Sequence, residues 1–141
     1  AFDLTLSYAS GFRATLHASM LACAARPRFS VHGTRGSWVK YQLDPQEAAL
    51  KRGELPPSPH WGQDPGDAHG ILTLCDGVAQ SSEDIPTLPG NYLAYYENVR
   101  DTILGNAKLA VTAQQALRVM ELLELSRHSQ REQRTLPVKL S

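Results

Sequence analysis

The sequence predicts an α+β domain: an open, mostly antiparallel β-sheet with helices packed on one of its faces. Three observations carry this. Period-two alternation of apolar and polar residues fills the first part of the chain, tight glycine-containing turns join neighbouring runs, and helical periodicity is confined to the last third. Strands that cluster first and helices that cluster last do not suit a parallel βαβ sheet.

The first run is Phe2 to Tyr8, with Phe2, Leu4, Leu6 and Tyr8 on one face and Asp3, Thr5 and Ser7 on the other. Ala9-Ser10-Gly11 is a turn in which Gly11 is free to take positive φ. The return run sets Phe12, Ala14, Leu16, Ala18 and Met20 against Arg13, Thr15, His17 and Ser19, completing a hairpin. Arg26-Pro27 breaks the pattern. Arg28 to His32 and Ser37 to Gln42 read as a third and a fourth strand around the turn Gly33-Thr34-Arg35-Gly36. Asp44-Pro45-Gln46-Glu47 starts a short helix, Pro45 to Arg52. Asp44 caps it, Glu47 reaches back to the cap amide, and Gly53 ends it. A long connection, Glu54 to Gly70, is rich in Pro, Gly, Asp and His, and long connections in compact domains often carry function. Ile71 to Cys75 and Val78 to Asp84 flank an Asp76-Gly77 hairpin signal. Asn91 caps a helix from Tyr92 to Leu104 with Tyr92, Tyr96, Val99 and Ile103 as its stripe. Thr112 and Gln115 form a capping box for a second helix whose stripe is Ala116, Val119, Met120 and Leu123. Leu136 to Leu140 reads as a last strand, placed at an edge by Pro137.

Composition narrows the function. A length of 141 residues is the size of one domain. Fourteen Lys and Arg balance fourteen Asp and Glu, so the chain lacks the field that draws nucleic acid. No apolar run is long enough to span a bilayer, and the sequence shows no charged-then-apolar leader pattern, so no secretion is expected. Cys23 and Cys75 read as two buried thiols in a reducing compartment, although a single disulfide between them stays open. The cytoplasm is therefore the expected location. A strand pattern that begins at Phe2 suggests that further sequence preceded Ala1.

The candidate chemistry is sparse. His60, Asp64, Asp67 and His69 include the residue types that ligate zinc or manganese, yet a polar loop using Asp and Gly for turns accounts for them better, and no metal is expected. His17 and His32 lie on strands without a visible catalytic partner. Gly33-Thr34-Arg35-Gly36 joins two strands and lacks the Lys-Ser/Thr pair of a phosphate loop. A dinucleotide fingerprint is absent. Tyr92, Tyr95 and Tyr96, near Glu97 on a helix, suit core packing better than base stacking.

The order of motifs resembles one family. Phe2-Asp3-Leu4-Thr5-Leu6, then Val31-His32-Gly33-Thr34-Arg35-Gly36-Ser37, look like the sheet of the Gfo/Idh/MocA oxidoreductases. Closer still is Tyr96-Glu97-Asn98-Val99-Arg100-Asp101-Thr102-Ile103, leading through Gly105-Asn106 and Val111-Thr112 into Ala116-Leu117-Arg118-Val119-Met120-Glu121-Leu122. The resemblance spans residues 1–141 and implies the C-terminal α/β domain of such an enzyme, of the dihydrodipicolinate-reductase-like kind. It implies NAD or NADP as the cofactor of the full-length protein, held by an N-terminal Rossmann domain absent from this sequence. It implies a small-molecule substrate such as a sugar, an inositol or a related polyol. The family's catalytic and cofactor motifs match no position here, so no catalytic or cofactor-binding residue is expected in this chain. His60 and Trp61, in the long loop, are the expected substrate-side residues. The open sheet face bearing Arg13, Thr15, His17 and Ser19 is the expected homodimer interface. A free-standing binding module is the alternative, and a metallohydrolase built on the His60 to His69 loop ranks third.

Overall fold

The computed structural model describes residues 1–56 and 61–139. Among the described residues six strands and three α-helices follow one another along the chain, and every strand pairing is antiparallel. The residues group into two compact units, Cys23–Arg100 and Ala1–Ala22 with Asp101–Ser141.

In the unit that holds both termini, β1 (Phe2–Ser7) and β2 (Arg13–Ala18) form a two-stranded sheet. Gly11 takes φ +87° in the connecting turn, where the Tyr8 and Phe12 rings meet at 5.3 Å. The register pairs Asp3 with His17, Thr5 with Thr15 and Ser7 with Arg13, so the alternation read from the sequence gives one polar face. That face satisfies itself: His17 Nδ1 lies 2.5 Å from Asp3 Oδ1, and the Thr5 and Thr15 hydroxyls are 3.4 Å apart. Helix α3 (Ala113–Glu132) starts at the expected capping box, with Thr112 accepting from the Gln115 amide and Gln115 accepting from the Thr112 amide. No strand forms over residues 136–139; Pro137 offers no N–H to a ladder, and Pro137 and Lys139 instead line a shallow depression with α3 residues.

In the other unit, β3 (Phe29–His32), β4 (Gly36–Lys40), β5 (Gly70–Cys75) and β6 (Gln80–Ile85) form a four-stranded meander in that order. The single continuous sheet expected from the sequence is thus two sheets. Alternation and register give the meander a polar face with Ser30, His32, Ser37, Thr73 and Ser82, and a more apolar face with Phe29, Val31, Trp38, Leu72 and Leu74. β6 begins at Gln80 rather than Val78, because the Asp76 carboxylate accepts from the Val78 and Ala79 amides and holds them in the turn. Those amide bonds hold the Asp76 carboxyl below its ordinary range. The short helix α1 (Gln46–Lys51) follows β4, and Gly53 leaves it at positive φ. The Asp44 carboxylate accepts from the Gln46 amide, but the N-cap position falls on Pro45, one residue later than expected, and Glu47 pairs with Lys51 at 2.6 Å rather than reaching back. Helix α2 (Leu93–Ile103) receives the Asn91 side chain on its Ala94 amide at 3.1 Å.

Burial is slight. The buried residues of the second unit are small or polar and gather between the end of β4, α1 and the start of β5. Neither α2 nor α3 buries a residue fully. The tyrosines read as core are exposed, Tyr95 and Tyr96 by about two thirds, and they pack edge to face on one another instead. Cys23 and Cys75 are free and exposed, not buried.

At Gly70 a Cβ would overlap the Trp38 indole, so the β4–β5 approach requires glycine. Gly70→Ala should cost roughly 1–3 kcal/mol by overpacking, read as a lower urea midpoint together with a shift in tryptophan emission. An unchanged midpoint would place Trp38 elsewhere.

Candidate functional site

The densest polar cluster lies in the second unit, and it begins with Lys40, the last residue of β4. Lys40 is buried, and its chain position opposite Phe29 puts it on the apolar sheet face. A buried ammonium requires partners. It donates to Asp64 Oδ2 at 2.5 Å and to the Ala68 carbonyl at 2.5 Å. Both side chains of the ion pair are nearly sealed, 6% exposed for Lys40 and 7% for Asp64. Thr87, just beyond β6, donates its hydroxyl to the same Asp64 oxygen. The other oxygen, Oδ1, is buried and has no hydrogen-bond partner among the described residues. Burial disfavours the charged form of Asp64. The Lys40 and Thr87 hydrogen bonds and the field of Lys40 and His69 outweigh it and hold the carboxyl below its ordinary value.

A second network adjoins the first. Gln46, at the start of α1, is wholly buried. Its carbonyl oxygen accepts from Trp61 Nε1 and from the Tyr92 amide, each at 2.8 Å, and its amide nitrogen donates to Asp44 Oδ2 at 2.8 Å. One glutamine thereby ties together α1, the Trp61 loop and the approach to α2. The Gly90 amide donates to the Gly62 carbonyl at 3.0 Å, and a Cβ on Gly90 would overlap Asp44 and Gln46. Between these networks lies a cleft of ≈ 220 Å³ whose lining includes Phe29, Trp38, Lys40, Asp64, Thr87 and Leu88.

The residues singled out from the sequence are distributed as follows. Trp61 is half-buried, with its indole N–H committed to Gln46. His60 lies outside the described residues. Asp64 and His69 do not converge: Asp64 meets Lys40 and Thr87, while His69 Nδ1 lies 2.7 Å from Asp84 Oδ2. Among the described residues no group of three or more His, Cys, Asp and Glu side chains is placed to hold a metal ion. His17 and His32 are satisfied sheet histidines, bonded to Asp3 and Ser37. Lys40, Gln46 and Thr87 escaped the sequence reading. Lys40 alone carried a signal, as a charged residue next to an apolar strand run.

The fold is that of an α+β domain, and comparison with known proteins gives its family. Residues 2–140 match the family model described as the oxidoreductase family, C-terminal alpha/beta domain. The chain belongs to the Gfo/Idh/MocA oxidoreductase family, as its C-terminal α/β domain. It is 47% identical over 135 residues to the uncharacterized oxidoreductase YdgJ of Escherichia coli, covering 96% of this chain and 38% of YdgJ. It is 36% identical over 135 residues to the scyllo-inositol 2-dehydrogenase (NADP(+)) IolW of Bacillus subtilis, covering 96% of this chain and 37% of IolW. The solved structure of YPO2259 from Yersinia pestis superposes with a TM-score of 0.89 at 43% identity, over 99% of this chain and 39% of that one. The chain thus spans under two fifths of the length of these relatives. Among the described residues no helix is long and apolar enough to cross a membrane.

Lys40→Met strands a buried carboxylate and should cost roughly 3–5 kcal/mol, measured by denaturant unfolding. Because the folded pKa of Asp64 is depressed, its ionised form contributes stability that is fully present above about pH 4. That contribution is lost as pH falls through the lower folded value. Asp64→Asn should therefore flatten the stability profile in the acid range and leave its shape between pH 5 and 8 unchanged. An identical acid slope in the variant would contradict the depressed carboxyl.

Proposed function

We propose that this chain forms the substrate-side wall and the oligomer contact of an NAD(P)-dependent oxidoreductase acting on a sugar, an inositol or a related polyol. The observation that carries the reading is the match over 96% of the chain to a relative named as an NADP-dependent scyllo-inositol dehydrogenase. Hydride transfer requires nicotinamide and substrate to be held in close alignment. In this reading the cofactor sits on a Rossmann domain N-terminal to the present sequence, and the chain supplies the opposite wall. It performs no catalysis by itself. The cytoplasm is the proposed location, and two exposed free thiols suit a reducing compartment.

Trp61 and its neighbour His60 are the proposed substrate-side residues. The Gln46 bond to the indole nitrogen supports this, since it fixes a half-exposed aromatic surface at the protein boundary. Exposed apolar side chains on α3, among them Val119 and Met120 at 57% each, suit a domain that is covered by others in the full-length enzyme. The homodimer is proposed to form through the polar hairpin face. Arg13, Thr15 and His17 lie there with little net charge, as suits a wet symmetric interface.

The full-length protein should oxidise polyols with NAD or NADP, whereas residues 1–141 alone should bind neither cofactor by calorimetry. Tight cofactor binding by the isolated chain, or a full-length protein inert toward a polyol and sugar panel with both cofactors, would sink the reading. Thr15→Glu should weaken self-association, because it places like charges near a two-fold axis. Sedimentation across a concentration series measures this, and a dimer indifferent to the change would move the interface off the hairpin.

A further inference from the structure

We propose that Asp44 and Gln46 are positioning residues for Trp61: the Asp44 carboxylate fixes the direction of the Gln46 side-chain amide, and the Gln46 carbonyl oxygen then holds the indole toward substrate. The proposal rests on the reading that Trp61 is a substrate-side residue, and it names the groups that govern that contact without touching substrate themselves.

Gln46 is wholly buried at the first position of α1. Its oxygen accepts from Trp61 Nε1 and from the Tyr92 backbone amide, both at 2.8 Å, and its nitrogen donates to Asp44 Oδ2 at 2.8 Å. These partners permit one orientation only. The indole nitrogen and the backbone amide are pure donors, and a carboxylate is a pure acceptor. A flipped amide would set its NH2 group against two donors and its oxygen against the carboxylate. Asp44 cannot turn away, because its other oxygen accepts from the Gln46 backbone amide at 2.9 Å. The direction of the amide is therefore set by Asp44 on one side and passed to Trp61 on the other.

The backbone beside the ring is held as well. The Gly90 amide donates to the Gly62 carbonyl at 3.0 Å, Gly62 takes φ +74°, and a Cβ there would overlap the Gly90 carbonyl. A Cβ on Gly90 would overlap Asp44 and Gln46, so this approach closes directly over the amide. What remains to Trp61 is rotation about its side-chain bonds, and the bond from the indole nitrogen removes that rotation. An indole has no second donor and no acceptor. With its donor committed inward, the half-exposed remainder of Trp61 offers aromatic surface and no hydrogen bond. Contact through such a surface depends on the angle of the ring.

The test uses the full-length enzyme with myo-inositol and NADP, together with the indole N–H resonance of Trp61, assigned by its absence in Trp61→Ala. Asp44→Asn puts a donor where the Gln46 nitrogen needs an acceptor. Gln46→Glu sets a second carboxylate against Asp44 and drives the two apart. Each should shift the resonance, speed its exchange with water and raise KM about tenfold, with kcat within about twofold. The double variant restores the pattern with donor and acceptor exchanged: the amide at position 44 donates to the carboxylate at position 46, whose second oxygen takes Trp61 and Tyr92. It should bring the resonance and KM back to within about twofold of the wild type. A role in stability alone would not return KM in step with the indole signal. Asp44→Asn is isosteric, so it decides even if Gln46→Glu does not fold. An unchanged resonance in folded Asp44→Asn overturns the positioning, as does a double variant that keeps the defects of Gln46→Glu. KM unmoved by Trp61→Ala instead refutes the substrate-side reading, so the two failures are distinguishable. If myo-inositol is not turned over, the resonance in these variants still decides the positioning.

Discussion

A buried ammonium and a buried carboxylate, Lys40 and Asp64, hold the described part of the long connection against the sheet. Three sequence-distant pieces meet there: the end of β4, the segment around Asp64 and Ala68, and Thr87 beyond β6. Removing two charges from water is expensive, and their attraction repays it only when the remaining polar groups are matched. Lys40 meets this condition through Asp64 and Ala68. Asp64 meets it at Oδ2, while Oδ1 is buried without a hydrogen-bond partner among the described residues.

Gln46 plays the complementary part. Its single amide group accepts from a side chain and a backbone group and donates to Asp44, which in turn accepts from the Gln46 backbone amide. The buried centre of this unit is thus polar and geometric rather than apolar. Hydrogen bonds have directions, so such a centre fixes loop positions more sharply than oily contacts of the same size would. The large apolar side chains lie outward, on α2, α3 and the sheet faces. That distribution is unusual for a stand-alone monomer and ordinary for one domain of a multidomain enzyme.

Local chemistry was legible in the sequence. The Phe2 to Tyr8 alternation, the Gly11 turn and the Thr112–Gln115 box each depend on residues a few positions apart, and each is found in the structure. The family, too, was legible, from the order of its motifs. Contacts across the chain were not. Nothing in the spacing of Lys40, Asp64 and Thr87, or of Gln46, Trp61 and Tyr92, announces that they converge. Helical stripes on α2 and α3 were read as core because periodicity reports an apolar face, not what covers it. The last strand failed for a related reason: Leu136 to Leu140 has strand-like residues, but a strand also requires a partner.

A double-mutant cycle on the buried pair tests the central claim most directly. Lys40→Met and Asp64→Leu would each be compared with the double variant by denaturant unfolding. If the two groups are one interaction, the double variant is more stable than the sum of the single losses requires, by a coupling of at least about 1 kcal/mol. Additive losses would mean that Lys40 and Asp64 act independently, and that something else holds the connection against the sheet.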